Sequence, residues 1–409
     1  MKESSRNFLA RNPSFLLIWL GQICSQSGGR MYQMAMIWWL LGGGSENSGR
    51  LVGTFMVMTA LPSLLLVKWI GHTIDRSKSK KVLVLGDLAA AVTVGVVAWT
   101  LAHATLPVSF AFLAGLVAAT LQAFIDPTLN KSVGEVTRPE DTESGVSLLA
   151  STQSLANFAG AVAGAILIDR LGIPGTAALA AGGYLFSSLC SYLARFRYSV
   201  PAVTLGENQS GFAVLNDYPF LKPLLIGFGF INFFSTPTLV VLPLYTKLTL
   251  HASASTLGSL EACLWVGLLT GTLVAKYIDF GLSRIRLGAI CLFVFGAALG
   301  TPGVVSQVVL YQIALFIGAM ALGINNVKFI TLFQEVVAPE KKGRFFALMQ
   351  AAISFTFPIS YFLFGWLTDF LSPPKVCLIQ GAGVMVLAIF FATLDRGEEG
   401  KVVGVTGWN

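Results

Sequence analysis

Charged side chains inside apolar runs are the residues of this sequence that could do chemistry. Only 11% of the 409 residues are charged, whereas 55% are hydrophobic, so a charge within an apolar run needs an explanation. Inserting such a side chain at the centre of a membrane helix costs about 2.5–3.5 kcal/mol, and residues of this kind commonly bind solutes or move protons. The positions are Arg30, Lys68, Asp87, Asp126, Glu261 and, nearer the end of a run, Lys328.

Three of these positions are carboxylic acids, and we predict that they couple the protein to protons. Glu261 is the favoured proton carrier, because a carboxyl group with apolar neighbours on its helix can be neutral in one state and charged in another. Asp126 and Asp87 are the further candidates. For Asp87, a structural ion pair with Lys68 or Arg76 is the alternative to proton coupling.

Arg30 lies in the middle of the first apolar run and shares one helical face with three glutamines. Gln22, Gln26, Arg30 and Gln33 recur at spacings of three and four, which places them on one side of a helix. We expect this stripe to bind substrate. An arginine near Glu261 would favour the charged carboxylate, so Glu261 could exchange Arg30 for a proton. The alternative is that Arg30 is locked to an acid within a packed interface.

The elements that must position these residues are about twelve apolar runs, each near the ~20 residues that cross a bilayer as a helix. Lys and Arg are concentrated in alternate turns, while the turns at 103–107 and 300–306 contain neither. Because positive turns stay in the cytoplasm, both termini are predicted to be cytoplasmic. The predicted runs are 14–41, 51–71, 82–103, 107–129, 146–168, 173–195, 220–246, 256–276, 287–304, 307–330, 344–369 and 375–394.

An internal repeat organises these runs. The hexapeptide EVTRPE at Glu135 recurs as EVVAPE at Glu335, 200 positions later, and the pair Ile74-Asp75 recurs as Ile278-Asp279. A duplication of a six-helix unit predicts such offsets. It predicts an N-terminal six-helix bundle, 1–198, a cytoplasmic linker, 199–218, and a C-terminal six-helix bundle, 219–409.

The segment from Gly71 to Lys81 reads Gly-x-x-x-Asp-Arg-x-x-x-Lys-Lys. It resembles the signature loop between the second and third helices of the major facilitator superfamily. The sequence WLGQ at Trp19, followed by Ser25, and the segment 332–344 resemble the drug-efflux branch that contains macrolide-efflux proteins and enterobactin exporters. The resemblance covers essentially the whole chain. It implies an all-α integral membrane protein with twelve transmembrane helices in two pseudo-symmetric six-helix bundles, the major facilitator fold.

The resemblance also implies a gating role for this loop. Asp75 is expected to dock at a helix N-terminus in the other half, near Gly343, where free N–H groups and the helix dipole favour a carboxylate. The alternative is a basic turn that only sets topology, with a solvated Asp75. The predicted gating residues are Gly71, Asp75, Arg76, Lys80, Lys81, Lys328, Asp279, Arg284, Gly343 and Arg344.

A second gating hypothesis concerns Asp126 and Lys328, which are nearly equivalent in the repeat because Asn326 lies 200 positions after Asp126. The resemblance places their helices opposite each other across the substrate path. We therefore predict a cytoplasmic gate of Asp126, Asn325, Asn326 and Lys328, and predict that the two asparagines also bind substrate. The alternative is a local charge relay between Asp126 and the basic loop.

We expect a secondary active transporter, with proton-coupled export of an amphipathic small molecule (a drug, macrolide or siderophore) by alternating access. The alternatives are an importer or lysophospholipid flippase on the same fold, or a permease for anionic solutes, given Arg30. A receptor or scaffold is disfavoured because intramembrane charge would then have no use. The segment GAVAGA at Gly160 loosely resembles an antiporter motif, but close helix packing explains it equally well.

An enzyme is not expected, because the sequence contains no phosphate-binding Walker loop, no Gly-x-Ser-x-Gly and no metal-spaced histidine cluster. No metal and no cofactor are predicted. The five cysteines fall inside apolar runs, as small packing residues do. The net charge of +7 is scattered over short turns, which excludes a nucleic-acid surface. The expected partners are a small-molecule substrate, the proton gradient and the lipid bilayer, for a monomer in the bacterial inner membrane.

Overall fold

The computed structural model describes residues 8–9, 11–43, 47–138, 141–196, 215, 217–278 and 281–395. The side chains at 68, 75, 143, 150, 151, 153, 154 and 395 lie outside that description, as does most of the predicted linker at 199–218. Every regular element in these ranges is helical, which confirms the all-α prediction.

The helices follow the predicted apolar runs. The first half of the chain forms α1 (Pro13–Gly42), α2 (Ser48–Leu65), α3 (Val67–Arg76), α4 (Ser79–His103), α5 (Val108–Val136) and α6 (Thr142–Leu193). The second half forms α7 (Leu221–Ser235), α8 (Thr238–Leu244), α9 (Ala254–Val274), α10 (Arg284–Gly300), α11 (Val308–Val336), α12 (Pro339–Leu367) and α13 (Pro373–Asp395). A π-helical turn, Tyr245–Thr249, extends α8.

Within the described ranges, 10 helices are long and apolar enough to cross a membrane. One of them is part of α6, which reverses direction at Gly172, where φ is +72°; this conformation suits glycine. α6 therefore supplies two of the predicted spans. α1 is not among the 10 because Gln22, Gln26, Arg30 and Gln33 lower its mean hydropathy. With α2 and α3 as one interrupted span, the helices account for the twelve expected crossings.

The chain forms two compact units. Unit 1 contains α1, α3 to α6, most of α2 and the first turn of α9. Unit 2 contains α7, α8, α10 to α13, most of α9 and the first two turns of α2. Two helices, α2 and α9, are thus each divided between the units near their N-terminal ends. The bundle bounds 1–198 and 219–409 stay a prediction.

In unit 1, glycines bring α1 into backbone contact with both halves of α6. A Cβ atom added to Gly160 would lie 2.6 Å from the carbonyl oxygen of Ser27, and one added to Gly183 would lie 2.8 Å from that of Cys24. Small residues permit this approach between membrane helices. Packing therefore accounts for the GAVAGA segment, and it fixes the polar face of α1.

The interior of unit 2 is aromatic. Phe329 lies edge-on to Phe333 and Phe391, with ring centroids 6.1 and 5.2 Å apart, and Phe228 and Phe345 extend the cluster. Edge-to-face pairs of this kind add stability beyond the area they bury. Glu261 and Asn325 are buried polar residues of the same unit.

Candidate functional site

The polar face of α1 meets α5 at Asp126. The Oδ1 atom of Asp126 accepts hydrogen bonds from Nε2 of Gln26 at 2.9 Å and from Nε2 of Gln122 at 2.6 Å. Gln122 lies on α5 itself, four residues before Asp126, so the two side chains share a helical face. The structure therefore brings together a predicted proton-coupling residue and a predicted substrate-binding residue.

Arg30 lies one turn further along α1 and is 8% exposed. Its Nη1 atom donates to Oε1 of Gln33, and Nε2 of Gln33 lies 3.2 Å from the sulfur of Met56 on α2. Both residues of the predicted stripe therefore face the interior of unit 1. A guanidinium in this position offers several donors to a polar or anionic group.

A cavity of about 280 Å³ opens between α1, α2, α5 and α6 in unit 1. Its polar lining comes from Gln26, Arg30, Gln33, Gln122, Asp126 and Asn157, and its aromatic lining from Tyr32, Phe55 and Tyr184. The cavity wall therefore combines amide groups, the guanidinium of Arg30 and the carboxyl group of Asp126 with aromatic rings. Such a lining can hold a molecule with both polar and apolar parts.

Several lining residues were missed by the sequence prediction. Gln122 could have been found from its spacing to Asp126. Asn157 could have been found as an amide within an apolar run. Tyr32 and Tyr184 carry no such signal, because their place depends on how α6 folds back beside α1.

Asp87 lies outside the cavity, in the packed interior. Its side chain is 0% exposed. Its Oδ1 atom accepts a hydrogen bond from Oγ of Ser25 at 2.9 Å, and its Oδ2 atom accepts one from Oγ of Ser187 at 2.6 Å. Nε2 of Gln22 is 3.5 Å from the same serine oxygen, so Gln22 belongs to this cluster rather than to the cavity. We call these four residues the Asp87 cluster; it joins α1, α4 and α6.

Arg76 is exposed and Asp87 is fully buried. The expected pairing of Asp87 with Arg76 is therefore replaced by hydrogen bonds from serines, since the sequence could not show which side of α4 faces α6. The side chain of Lys68 lies outside the described residues, as does that of Asp75. Docking of Asp75 at a helix N-terminus stays a prediction.

The basic loop residues divide into exposed and bonded ones. Gly71, Arg76 and Lys81 are exposed, and the same holds for Gly343 and Arg344 at the start of α12. Lys80 is different: its Nζ atom donates to the carbonyl oxygen of Ala194 at 2.9 Å and lies 5.4 Å from the ring of Tyr192. Lys80 thus caps the C-terminal end of α6.

The repeat is visible in the hydrogen bonds near the loops. Nζ of Lys131 donates to the carbonyl oxygen of Ile74 at 2.8 Å, and Nζ of Lys328 donates to that of Ile278 at 2.7 Å. Lys131 and Lys328 thus make the same kind of contact in the two halves of the chain. The near-equivalence of Lys328 to Asp126 stays a prediction.

The glutamates that begin the repeated hexapeptide, Glu135 and Glu335, each bind a side chain at the start of a neighbouring helix. Oε1 of Glu135 accepts a hydrogen bond from Oγ of Ser79 at 2.9 Å. Glu335 forms a two-pronged ion pair with Arg284, in which Nη2 and Oε1 are 2.8 Å apart. Arg284 is thus engaged within unit 2. Its repeat neighbour Asp279 lies outside the described residues.

The predicted residues of unit 2 lie on α9 and α11. Glu261 is 3% exposed. Asn325 is fully buried against α10, where a Cβ atom on Gly288 would lie 3.0 Å from its Oδ1 atom, and Asn326 and Lys328 are partly exposed. Exchange between Glu261 and Arg30 stays a prediction, as does the gate that includes Asp126 and Lys328.

In the part of the chain that the structure describes, no group of three or more His, Cys, Asp or Glu residues could hold a metal ion. The five cysteines are free thiols, and Cys190, Cys291 and Cys377 are buried. The cysteines thus occupy packing positions.

Comparison with known proteins agrees with this architecture. The model of the Major Facilitator Superfamily matches residues 18–355 and, in a second match, 224–407. The chain is 24% identical over 385 residues to macrolide efflux protein A of Streptococcus pyogenes, covering 92% of this chain and 94% of that protein. It is 23% identical over 401 residues to the MFS-type transporter YkuC of Bacillus subtilis (strain 168), covering 93% and 91%.

Solved structures share the fold at low identity. A bacterial homologue of the human lysosomal transporter Spinster, in an inward-facing and unoccupied conformation, gives a TM-score of 0.74 at 10% identity, covering 94% of this chain and 97% of that one. A D-xylose–proton symporter gives 0.68 at 13% identity, covering 92% and 96%. The predicted resemblance and the twelve-helix fold are therefore confirmed. The chain belongs to the major facilitator superfamily and is a multi-span membrane transporter rather than an enzyme.

Proposed function

We propose that this protein exports an amphipathic small molecule, such as a drug, macrolide or siderophore, in exchange for protons. The observation that carries the proposal is the unit 1 cavity, where Asp126, three glutamine amides and Arg30 share a wall with aromatic rings. Its relatives include proteins named for macrolide efflux, which supports export. In this proposal two six-helix bundles alternate access to the cavity, and both termini lie on the cytoplasmic side of the bacterial inner membrane.

The cavity suits part of an amphipathic molecule. At about 280 Å³ it is at the lower end of ligand pockets, which usually span about 300–1,000 Å³. Its amides can donate or accept, so they tolerate different polar groups, while Phe55 and the two tyrosines offer flat apolar surface. A lining of this kind favours a range of related substrates over one rigid solute.

Asp126 supports the proton coupling. Its hydrogen-bond donors are the neutral amides of Gln26 and Gln122, so a proton can be added to this carboxylate without breaking an ion pair. Protonation turns one oxygen from an acceptor into a donor. Both amides donate to Oδ1, so the proton can reside on the other oxygen without breaking either hydrogen bond. The cavity wall then loses a negative charge and gains an O–H donor, which changes the polar surface offered to substrate. Proton uptake at Asp126 and substrate release are thereby linked through the same side chain.

The test uses proteoliposomes with an imposed proton gradient. Asp126→Asn keeps the shape and the hydrogen-bonding oxygen but cannot release a proton. We expect it to retain downhill exchange of substrate and to lose accumulation against a gradient, together with substrate-driven proton movement. The matched control is Asp217→Asn, which removes an exposed carboxylate that pairs with Lys341; it should transport normally. Full uphill transport by Asp126→Asn would pass the proton role to Glu261.

One observation favours a second candidate function. Arg30 lines the cavity as its only cation among the described residues, which would suit a permease for anionic solutes. Under that alternative, Arg30→Gln should abolish transport of an anionic substrate while leaving a neutral one unaffected. Under the proposed export function, Arg30→Gln weakens both. The same vesicles also give the direction of transport. Uptake without export would indicate an importer, and movement of a lysophospholipid between leaflets would indicate a flippase.

A further inference from the structure

A separate cavity of about 290 Å³ lies at the end of unit 1 where α1 begins and where α5 and α6 end. Three arginines line it: Arg11 precedes α1, Arg138 follows α5 and Arg195 follows α6. The other lining residues are Asn12, Pro13, Ser14, Leu17, Val136 and Leu193. The described lining thus contains three cations and no acid. We call it the three-arginine cavity.

Backbone hydrogen bonds hold two of these arginines in place. The N–H group of Arg138 donates to Oδ1 of Asn12 at 3.2 Å, and the N–H group of Arg195 donates to Oγ of Ser14 at 3.1 Å. Asn12 is buried, with 3% of its surface exposed. The start of α1 therefore fixes the path of both segments through their main chains, whatever the arginine side chains contact.

Positive charge is concentrated around this cavity. Arg11, Arg138 and Arg195 are exposed. Nζ of Lys80 lies 2.9 Å from the carbonyl oxygen of Ala194, the residue that directly precedes Arg195, so a fourth cation is close by. Like charges held near one another repel, and an anion placed among them relieves the repulsion.

The neighbouring groups offset this charge only in part. Oδ2 of Asp141 accepts a hydrogen bond from Nδ2 of Asn12 at 2.8 Å, and Asp141 is not part of the lining. The first turn of α1 contains no acidic residue, and the start of a helix carries partial positive charge. The planar fork of a guanidinium binds phosphate through two parallel hydrogen bonds. A phosphate group is therefore the anion that this cavity suits best.

The apolar lining residues indicate what carries the phosphate. Leu17, Val136 and Leu193 belong to the membrane-spanning helices, whereas the arginines lie beyond the helix ends. Leu193 is 55% exposed and the adjacent Tyr192 is 64% exposed, so the cavity borders an open face at the end of α6. Tyrosines are common at the level of lipid headgroups. The cavity thus combines a site for a phosphate with an apolar edge at the membrane surface.

We propose that the three-arginine cavity binds the phosphate group of an anionic phospholipid such as phosphatidylglycerol. Basic pockets between transmembrane helices on the cytoplasmic side bind anionic headgroups, and the predicted topology places this end of unit 1 on that side. A bound headgroup links the ends of α1, α5 and α6 through one ligand. The inference does not depend on the proposed export function, because lipid binding is measured without substrate.

The test measures lipid affinity of the purified, delipidated protein by native mass spectrometry. The probes are dioctanoyl phosphatidylglycerol, dioctanoyl phosphatidylcholine and inorganic phosphate. We expect phosphatidylglycerol to bind more tightly than phosphatidylcholine, whose headgroup has no net charge. Arg11→Gln, Arg138→Gln and Arg195→Gln should each weaken the binding of phosphatidylglycerol by about 5-fold, and the triple variant should weaken it by roughly 100-fold.

A matched control removes the same charge from unit 2. It combines Lys276→Gln, Arg286→Gln and Lys341→Gln, which lie outside the cavity, and it should leave the affinity unchanged. An equal loss in this control would overturn the proposal, since general attraction to a basic surface would then explain the binding. Undiminished binding by the triple arginine variant would overturn it as well. Inorganic phosphate that displaces the lipid at equal concentration would assign the cavity to a soluble phosphate and refute the lipid.

A second measurement leaves all three arginines in place. Pro13 lines the cavity and is exposed. Thr73, on α3 at the same end of unit 1, is exposed outside the lining. Phosphatidylglycerol should slow the reaction of Pro13→Cys with a maleimide and leave that of Thr73→Cys unchanged, whereas phosphatidylcholine should protect neither. Background from the native cysteines is measured without the added cysteine. Equal reaction rates of Pro13→Cys with and without phosphatidylglycerol would refute the inference.

Discussion

Replacing Ser187 by alanine should destabilise the protein, and the size of the loss should report the charge on Asp87. The hydroxyl of Ser187 lies 2.6 Å from Oδ2 of Asp87, which is 0% exposed, so water cannot replace the lost donor. A hydrogen bond to a charged group contributes about 1.5–3 kcal/mol, and one between neutral groups about 0.5–1.5 kcal/mol. A loss in the higher range means that Asp87 is a carboxylate in the folded protein.

The chain supplies a matched control on the same helix. Ser191 lies one turn beyond Ser187 and is also buried, but within the described residues its Oγ atom has no hydrogen-bond partner. Ser191→Ala removes a hydroxyl of the same size without breaking a bond. It should be neutral or slightly stabilising, because an unpartnered buried hydroxyl costs free energy. The difference between the two variants isolates the bond to Asp87.

The assay uses the buried native thiols of the protein. Cys190, Cys291 and Cys377 are buried and free, so their reaction with a fluorogenic maleimide on heating follows unfolding in detergent. We expect Ser187→Ala to unfold at a lower temperature than Ser191→Ala, and the gap to narrow at low pH if Asp87 takes up a proton. Equal unfolding of the two variants at every pH would refute a stabilising bond and remove Asp87 from the proton-coupling candidates.

Two further predictions concern helix packing and the second acid. Gly183→Ala should lower the free energy of unfolding by about 1–3 kcal/mol, because the added Cβ atom would lie 2.8 Å from the carbonyl oxygen of Cys24. Nothing lies within 4 Å of a Cβ atom on Gly182, so Gly182→Ala should be neutral or stabilising. Thermal unfolding of the two variants tests this difference. Glu261→Gln mimics a permanently protonated acid, so it should keep substrate binding and downhill exchange but lose uphill transport, and normal proton flux in this variant would exclude Glu261 as the carrier.

The fold could be predicted from the sequence because mean hydropathy is averaged over long segments, so single residues change it little. Each apolar run is long enough to cross a bilayer, so small errors at the ends do not change the number of spans. The predicted gap between the fifth and sixth runs, 168–173, contains Gly172, where α6 reverses direction. The interruption of the second span at Leu66, between α2 and α3, was missed, although Pro62 lies inside α2 one turn before it and proline interrupts helices.

The site was predicted only in part, because residue type does not reveal orientation within a helix bundle. Spacing correctly grouped Gln26, Arg30 and Gln33 on one face of α1. It could not show that Gln22 on the same stripe turns toward Asp87 instead of the cavity.

The lysines that cap helix ends serve this protein twice, at different times. During synthesis no tertiary structure exists, and positive charges such as those of Lys80, Lys131 and Lys328 act as topological signals as the helices enter the bilayer. Once the chain has folded, the same amines are bound to the carbonyl oxygens of Ala194, Ile74 and Ile278. The same side chains therefore act first in membrane insertion and then in the folded structure. A neutral residue at any of these positions removes a topological signal from the nascent chain and a hydrogen bond from the mature protein, and an arginine preserves the first without guaranteeing the second.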